Sequence, residues 1–266
     1  MQAFSAKLKD PGFPGDGMVS TDLLGFSEQQ QHIAFVAIAT FFSETGRLPS
    51  GSDADAVLAT AKKCLSEGII AMEGTEVDVD ILNSTVEYAS VELQPIAAFI
   101  GGVLAQEVVK CTGKFTPIPG FMHFRAGEAL PESKATDTTA RDHRCDELAA
   151  VYGWNFVEKI SNLKYFMVGC GALGCEFMKN FALNGLFCGP SGSLTVTDAD
   201  RIELSNLSRQ FLFREHNVGQ PKSKAAGAMA TVMNPGFKIE SLEHFVGPKS
   251  EHIFHDAFWM ELDGVC

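Results

Sequence analysis

Residues 164–176, KYFMVGCGALGCE, constrain the fold more than any other stretch of the sequence. The apolar run 165–168 predicts a buried parallel strand, and apolar side chains at helical intervals after Gly171 predict a helix. Between the two lies the pattern G-x-G-x-x-G, formed by Gly169, Gly171 and Gly174. Strand, glycine turn and helix in this order place backbone N–H groups at a helix N-terminus, where they can bind a phosphate chain. The stretch therefore predicts a nucleotide site, without indicating which nucleotide binds or which reaction follows.

After this stretch, strand-like and helix-like patterns alternate along the chain. The predicted strands are residues 165–168, 194–197 and 238–242, and the predicted helices are residues 172–184, 221–233 and 249–262. Residues 263–266 predict the start of a further strand. Strands that alternate with helices form parallel sheets with right-handed crossovers. We therefore expect an α/β fold, a Rossmann-like doubly wound parallel sheet.

The first half of the chain predicts mainly helices. They are expected at residues 27–44, 56–67, 81–93 and 96–111, with a Gly- and Pro-rich loop and one short strand before residue 27 and another short strand at 121–124. The adjacent Gly101 and Gly102 lower helix propensity by about 1 kcal/mol each, so we expect another backbone to approach closely there. Residues 131–142 are polar, with clustered Thr and Asp, and predict a linker. The expected domains are therefore residues 1–130 and 143–266.

The composition argues against several classes of protein. The formal net charge is −12, whereas nucleic acid and anionic membranes need a basic face, so neither is expected as a partner. No apolar run approaches the ~18 residues of a membrane-spanning helix. The seven cysteines are odd in number and contain no C-x-x-C pair, which favours reduced cytosolic thiols over a disulfide or zinc framework. We therefore expect no metal site within this chain.

Two carboxylates stand at the end of the second predicted strand. Asp198 follows Gly174 by 24 residues, and Asp200 lies two positions further on. In a doubly wound nucleotide site, an acidic residue in this place accepts hydrogen bonds from the ribose hydroxyls. The alternative is that both side chains are simply solvated in a loop. We favour a ribose-binding role for Asp198 and treat Asp200 as a second candidate.

Residues 201–213, RIELSNLSRQFLF, have no counterpart in a dinucleotide-binding fold. They bring Asn206, Arg209 and Gln210 close together in sequence, and Lys222 opens the next predicted helix. A single Arg or Lys is usually a solvated surface residue. Two such cations converging on one nucleotide suit a triphosphate rather than the internal diphosphate of NAD, because they stabilise charge on phosphate oxygens during transfer at the α-phosphorus.

Together these motifs resemble the ubiquitin-activating enzyme family, the ATP-dependent activators of ubiquitin and ubiquitin-like proteins. The motifs that carry the resemblance, in the family's order and spacing, are G-x-G-A-L-G-C-E, T-D-x-D, S-N-L-x-R-Q-F-L-F and M-N-P. Residues 95–110 resemble the closing part of the inactive adenylation domain of the single-chain activators, and residues 28–94 resemble its helical-bundle insertion. The resemblance covers nearly the whole chain and implies a ThiF/MoeB-like adenylating fold, with an active adenylation domain from residue 143.

The resemblance implies two half-reactions. ATP and the C-terminal carboxylate of ubiquitin form an acyl-adenylate and pyrophosphate. A catalytic cysteine then takes the acyl group as a thioester and passes it to a ubiquitin-conjugating enzyme. Magnesium would share the phosphate charge. The residues implied to bind the nucleotide are Gly169, Gly171, Ala172, Gly174, Asp198, Asp200, Asn206, Arg209, Gln210 and Lys222. Of these, Arg209 and Lys222 would act catalytically by holding the phosphates, and Asn206 and Gln210 would support them. A cytoplasmic and nuclear location is implied.

The resemblance also implies that this sequence is an internal fragment. The family's magnesium-binding aspartate, catalytic-cysteine domain and C-terminal ubiquitin-fold domain would all follow residue 266, and an arginine lent by the inactive domain would precede residue 1. We therefore expect the 266 residues to be inactive on their own. Cys170 and Cys175 are expected to fill space against the sheet, and Cys266 is expected to lie in a buried strand rather than to act as the nucleophile.

Two other functions stay open at this point. An NAD-dependent oxidoreductase would explain the glycine motif and Asp198, but it leaves Arg209 and Lys222 without a role. A non-catalytic module that binds nucleotide, or none, and docks a partner would also fit a truncated chain. Binding of ATP–Mg²⁺ without NADH binding would exclude the first, and ubiquitin-dependent pyrophosphate exchange would exclude the second. Single-chain organisation favours ubiquitin over the ubiquitin-like proteins that two-chain activators serve.

Overall fold

A computed structural model describes most of the chain, namely residues 4–11, 27–72, 74–118, 120–124 and 126–266. The chain divides into two compact units. The first, Met1–Glu92 with Ile96–Leu130, is called the helical unit below. The second, Leu93–Pro95 with Pro131–Cys266, is called the sheet unit. Each unit has its own hydrophobic core.

The helical unit is built mainly from α-helices. Its described helices are α1 (Phe4–Lys9), α2 (Ser27–Thr45), α3 (Ala54–Ser66), α4 (Val79–Glu87) and most of α5 (Gln94–Lys110). The core lies between α2, α3 and α4, where Ile33, Val57 and Leu82 are buried. The carboxylate of Asp78 accepts hydrogen bonds from the N–H groups of Asp80 and Ile81, both at 3.0 Å, and so caps the start of α4.

The apolar helix α5 differs from its neighbours because it has no buried residue. Phe99, Leu104 and Val108 are among its exposed side chains. Within the described residues, and apart from the adjacent residues and the backbone of α5 itself, no atom lies within 4 Å of the place where a Cβ would stand on Gly101 or Gly102. The predicted close approach of another backbone to this glycine pair is therefore wrong for the described part of the chain.

The sheet unit contains a parallel sheet with the strand order β3-β2-β1-β4. Its strands are β1 (Lys164–Val168), β2 (Ser193–Thr197), β3 (Ile239–Leu242) and β4 (Gly264–Val265). Its helices are α6 (Asp146–Tyr152), α7 (Trp154–Ser161), α8 (Ala172–Leu183), α9 (Lys222–Met233) and α10 (Asp256–Met260). In the register of β1 against β2, Tyr165 lies opposite Leu194. The predicted α/β fold with a parallel sheet is confirmed.

Both faces of the sheet are covered, as is usual for parallel strands. Because successive side chains of a strand point to opposite faces, Met167 joins the core with Met178 of α8 and Ala226 of α9. The neighbouring Phe166 points to the other face. There it contacts the rings of Phe254, Phe258 and Trp259, with centroids 5.0, 5.1 and 5.5 Å away.

The predicted helix over residues 249–262 is wrong. The chain forms a single 3-10 turn at Pro248–Ser250 and then the short α10. The hydroxyl of Ser250 donates to the carbonyls of Phe245 and Gly247, at 2.6 and 2.9 Å, which closes a compact turn. His255 is extended, with ψ 173°, so α10 can begin only after it.

Two further differences concern the helical unit. The helix predicted over residues 81–93 runs from Val79 to Glu87 instead. Residues 121–124 form no strand, because the Phe121 ring contacts the side chain of His32 on α2, with centroids 5.2 Å apart, rather than a neighbouring strand. The short α1 was not predicted, and the strand expected before residue 27 lies largely outside the described residues.

Residues 131–142, predicted as a linker, have no helix or strand and lie against the start of α7. The Trp154 backbone N–H donates to the Asp137 carbonyl at 2.9 Å, and its indole N–H donates to the Thr139 carbonyl at 2.8 Å. The Arg141 guanidinium lies 4.3 Å from the Trp154 ring centroid. Neither α6 nor α7 was predicted.

No helix in the described part of the chain combines the length and apolar character needed to cross a bilayer.

Candidate functional site

The candidate site lies at the carboxyl ends of β1, β2 and β3. Ligands of open α/β sheets bind at this edge, because the loops that leave the strands there meet around a crevice. The glycine loop follows β1, two carboxylates follow β2, and the segment after β3 is hydrogen-bonded to the end of β2 through His244 and Thr197. The sheet thus brings together residues that are up to 75 positions apart in sequence, from Gly169 to His244.

The glycine loop has the backbone geometry that its sequence requires. Gly169 has φ +100°, a conformation that side chains other than glycine rarely adopt. A Cβ on Gly174 would overlap the carbonyl oxygen of Gly169, so the first turn of α8 can lie on the loop only with glycine there. In the described residues, the space beside Gly169 and Gly171 is empty to 4 Å. The loop and the N-terminus of α8 are therefore open to a ligand.

Asp198 joins the loops that follow β1 and β2. One carboxylate oxygen accepts a hydrogen bond from the Cys170 N–H at 2.6 Å, and the other accepts one from the Asp200 N–H at 2.8 Å. The side chain is half-buried. A carboxylate has about four lone-pair sites, so it retains acceptor capacity for hydroxyl groups of a ligand.

Lys222 is the first residue of α9 and is only 8% exposed. Its ammonium lies 2.8 Å from the carboxylate of Asp200, whose side chain is 63% exposed. The Lys222 N–H also donates to the Asp200 carbonyl at 3.0 Å. A buried ammonium needs a partner of opposite charge, and here Asp200 provides it. Lys222, Asp200, Asp198 and the glycine loop therefore form one hydrogen-bonded group.

Asn206 and Gln210 belong to the 3-10 turn at Leu204–Ser208 and the residues after it. The Asn206 side-chain oxygen accepts a hydrogen bond from the Glu203 N–H at 3.0 Å, and its carbonyl accepts one from the Gln210 N–H at 2.9 Å. Asn206 thus shapes the turn. Gln210 is 4% exposed, and its Oε1 has no hydrogen-bond partner within the described residues. A buried acceptor of this kind destabilises a protein unless something donates to it.

Arg209 lies on the same turn and is exposed. Its guanidinium donates to the Ser205 carbonyl at 3.0 Å. Across the described residues, no hydrogen bond or ion pair connects the side chains of Arg209 and Gln210 with Lys222 or Asp198. The sequence-predicted residues therefore fall into two sets, one joined at the strand ends and the other on the turn.

Sequence patterns alone did not reveal the residues that follow β3. The Thr197 hydroxyl donates to the His244 carbonyl at 2.5 Å, and the His244 N–H donates back to that hydroxyl at 3.2 Å. Glu243 pairs with Lys224 and Arg201. The sequence does contain a signal for Glu243. It directly follows β3, just as Asp198 directly follows β2, and polar residues at this edge of a sheet are candidates for ligand binding.

The cysteines near the loop are not activated thiols. Burial raises the pKa of Cys175 to about 11 and raises that of Cys170 further. Thiols with such pKa values are protonated at neutral pH and are poor nucleophiles. Cys266 is exposed, contrary to the expectation of a buried strand, and its N–H donates to the Phe166 carbonyl at 2.9 Å. The residues that the structure describes contain no group of three or more His, Cys, Asp or Glu that could hold a metal ion.

Comparison with known proteins gives three findings. Residues 144–266 match the ThiF family. The chain is 44% identical over 261 residues to ubiquitin-activating enzyme E1 1 of Arabidopsis thaliana, covering 96% of this chain and 24% of that protein. It is 43% identical over 270 residues to ubiquitin-like modifier-activating enzyme 1 of Homo sapiens, covering 98% of this chain and 25% of that protein. The chain thus spans about a quarter of the length of these curated relatives.

Similarity to solved structures is weaker. A crystal structure of E. coli tRNA N6-threonylcarbamoyladenosine dehydratase in complex with ATP is 23% identical, with a TM-score of 0.38. The match covers 42% of this chain and 44% of that one. A similarity of this size supports no inference about what the present chain binds.

Proposed function

We propose that the chain is part of a ubiquitin-activating enzyme that adenylates the C-terminal carboxylate of ubiquitin with ATP, and that residues 144–266, which match the ThiF family, form its nucleotide-binding domain. The observation that carries this proposal is the identity of 41–44% to such enzymes across nearly the whole chain. The glycine loop and the charged groups at the carboxyl edge of the sheet support it, since they suit a nucleotide with several phosphates.

ATP is proposed to lie across the open glycine loop. The N–H groups at the start of α8 would donate to phosphate oxygens, and the empty space beside Gly169 and Gly171 leaves room for them. Ala172 would lie against the nucleotide, and Asp198 would accept hydrogen bonds from the ribose hydroxyls. In this proposed arrangement, Ala172 and Asp198 would bind the nucleotide without leaving their positions in the fold.

Lys222 is proposed to exchange partners when ATP binds. In the structure its ammonium is paired with Asp200, and a phosphate oxygen of ATP would replace that carboxylate. Arg209 is exposed and is held by one carbonyl, so its guanidinium can turn toward the phosphates. Two cations there would stabilise the charge that develops when the ubiquitin carboxylate attacks the α-phosphorus and pyrophosphate leaves.

Gln210 and Asn206 would support this site. Asn206 fixes the turn that carries Arg209, through its hydrogen bond with Glu203. The Oε1 of Gln210, which has no partner among the described residues, would gain a donor when the nucleotide, or a water bound with it, completes the site. A buried acceptor that is satisfied only in the complex favours the bound state.

Magnesium is proposed to bind together with the triphosphate and to neutralise part of its charge. Mg²⁺ in nucleotide sites commonly uses one or two carboxylates together with phosphate oxygens and water. Asp200, whose side chain is largely exposed, is proposed as one such carboxylate. By family resemblance, a further aspartate ligand is proposed outside these 266 residues.

The second half-reaction is proposed to use a cysteine outside these 266 residues. Cys170 and Cys175 are buried and have raised pKa values, so neither suits thioester formation. The thioester would then pass to a ubiquitin-conjugating enzyme. Cytoplasmic and nuclear locations are proposed for the whole enzyme, in keeping with this pathway.

Nucleotide binding tests the first step of the proposal. Titration calorimetry of the 266-residue chain should detect binding of ATP–Mg²⁺ and no binding of NADH. The variant D198A should weaken ATP binding, because it removes the ribose acceptor and the link to the Cys170 N–H. Tight NADH binding without ATP binding would overturn the proposal in favour of an oxidoreductase. If neither nucleotide bound, a module that only docks a partner would be favoured.

A further inference from the structure

Glu243 stands just after β3 and holds two cations. Its carboxylate lies 2.5 Å from the ammonium of Lys224 and 3.8 Å from the guanidinium of Arg201. The hydrogen bond from Lys224 lowers the pKa of Glu243 below its ordinary value. The carboxylate is therefore charged at neutral pH. Neither sequence motifs nor the proposed nucleotide contacts account for this acidic residue.

The two cations lie on the two segments that meet beside Lys222. Arg201 is in the segment that follows β2, and Lys224 is in the first turn of α9. Residues 200–202 pair antiparallel with residues 219–222, through a bridge between Arg201 and Pro221. The Ile202 N–H donates to the Gln220 carbonyl at 2.9 Å, and the Arg201 guanidinium donates to the Gly219 carbonyl at 2.9 Å. An ion pair at Arg201 therefore acts on the backbone ladder that leads directly into Lys222.

The strand β3 also holds the first turn of α9 directly. The Ser241 hydroxyl donates to the Ser223 carbonyl at 3.1 Å. Ser241 and Glu243 lie two positions apart, the spacing that puts side chains on one side of an extended chain. They contact residues 223 and 224, the two that follow Lys222. The end of β3 thus fixes where the helix, and with it the Lys222 ammonium, begins.

The charged side chains around the start of α9 pair in one particular way. Three cations, at Arg201, Lys222 and Lys224, share two carboxylates, at Asp200 and Glu243. The buried Lys222 pairs with Asp200, while the two largely exposed cations pair with Glu243. Without Glu243, the exposed cations would be released and could compete with Lys222 for Asp200.

We propose that Glu243 is a positioning residue for Lys222: it fixes the start of α9 and holds Arg201 and Lys224 away from Asp200. The inference rests on the proposed function only in its last step, where Lys222 meets the phosphates of ATP. The placement of Lys222 can be measured without any nucleotide, so the two ideas can fail separately.

The first test measures how accessible Lys222 is in the ligand-free chain. Acetic anhydride acetylates the neutral form of lysine amino groups and releases acetate, and mass spectrometry gives the rate at each residue. In E243A and E243Q, Lys222 should be labelled about two- to fivefold faster than in the wild type, the range expected for losing ion pairs of this exposure. The matched control is E240A, which removes an exposed carboxylate from the same strand and should leave the rate unchanged. Equal Lys222 rates in E243A and the wild type would overturn the proposal.

The second test asks whether Glu243 acts through Lys222 when ATP binds. E243A should weaken ATP–Mg²⁺ binding about two- to fivefold, and it should have no further effect in the K222A background. In the R209A background its effect should persist in full, because Arg209 has no contact with Glu243. A purely structural loss would weaken binding equally in both backgrounds and would contradict the proposal. Tighter ATP binding in E243A, the result of a simple gain in positive charge, would also contradict it.

These outcomes separate the inference from the proposed function. Faster labelling of Lys222 in E243A, in a chain that binds no ATP, would support the placement by Glu243 and remove the nucleotide role. Normal ATP binding by the wild type, with no change in labelling or affinity in E243A, would support the nucleotide role and overturn the placement of Lys222 by Glu243. Unchanged thermal unfolding of E243A, measured by circular dichroism, checks that the variant is folded.

Discussion

The ammonium of Lys222 lies 2.8 Å from the carboxylate of Asp200, and this ion pair joins the start of α9 to the end of β2. The lysine is nearly buried while the aspartate is largely exposed. The pair therefore holds a positive charge at the carboxyl edge of the sheet, where Asp198 links Asp200 to the glycine loop. Under the proposed function, a phosphate in the loop would meet a lysine whose position the fold has already fixed, so little ordering of the side chain would be needed on binding.

Replacing Lys222 by alanine should weaken ATP–Mg²⁺ binding about tenfold to a hundredfold, since hydrogen bonds to charged groups contribute about 1.5–3 kcal/mol. Titration calorimetry gives the dissociation constants. Lys159, an exposed residue of α7, supplies the control, and K159A should bind ATP like the wild type. Equal affinities for K222A and K159A would remove Lys222 from the site.

The glycines of the loop should differ in what they tolerate. In G174A the new Cβ overlaps the Gly169 carbonyl oxygen, so the backbone must shift, and we expect a loss of about 1–3 kcal/mol in the free energy of unfolding. In G171A the Cβ has open space and φ is −75°, so stability should change by less than about 0.5 kcal/mol. ATP binding should nevertheless weaken in G171A, because the methyl group enters the space proposed for phosphate.

Urea unfolding and calorimetry distinguish the two glycine variants. A stable G174A, or a G171A that binds ATP normally, would contradict the geometry described for the loop. An equal loss of stability in both variants would show that glycine is needed at both positions for its backbone conformation. The close approach at Gly174 and the ligand space at Gly171 would then not be the reason.

Gln210 should matter more to the complex than to the free chain. Its buried Oε1 lacks a partner within the described residues, so replacing the side chain by leucine should change the free energy of unfolding by no more than about 1 kcal/mol. The same variant should weaken ATP–Mg²⁺ binding about threefold or more if a donor reaches Oε1 only in the complex. A large loss of stability with unchanged ATP affinity would assign Gln210 to the core alone.

The helical unit should lose stability in mild acid. His32 Nε2 donates to the Leu8 carbonyl at 2.8 Å, and His32 Nδ1 lies 3.3 Å from Nε2 of His123. Burial, followed by the charge of His32, lowers the pKa of His123 from 6.5 to about 4, and burial also lowers the pKa of His32. Because the folded state disfavours protonation, the stability is complete above pH 6.5 and falls as the pH decreases toward 4.

Urea midpoints measured across that pH range test this expectation. The variant H123F removes one titrating group and keeps an aromatic ring, so its midpoint should depend less on pH than that of the wild type. H252Q changes an exposed histidine of the sheet unit and should retain the wild-type dependence. Identical pH profiles for H123F and the wild type would show that the histidine pair does not control acid stability.

The sheet could be predicted from the sequence because its strands are short apolar runs bounded by glycine and polar residues. The apolar residues 165–168 and the glycine pattern after them predicted both ends of β1 and of α8 to within one residue. The order of the strands in the sheet was not predicted. The helix over residues 249–262 was wrong because aromatic side chains at helical intervals instead pack on Phe166 from a turn and a short helix.

The site was predictable only in part. Motif resemblance named Lys222 and Asp200, but their ion pair depends on a backbone ladder that brings residues 200–202 against 219–222. Such long-range pairing has no local sequence signal. The position of Glu243 directly after β3 could have been read from the sequence, but its ion pairs with Arg201 and Lys224 could not, since those partners are distant in sequence. Whether the ten candidate residues bind ATP stays a prediction.

A chimaera can show whether this chain performs the adenylation step of ubiquitin activation. These 266 residues would replace the matching quarter of Arabidopsis thaliana ubiquitin-activating enzyme E1 1, and ubiquitin-dependent ATP–pyrophosphate exchange would be measured. We expect exchange by the chimaera, and its loss when Asp198 or Lys222 is replaced by alanine. A folded chimaera that binds ATP but shows no ubiquitin-dependent exchange, or one whose exchange survives both substitutions, would refute the proposed function.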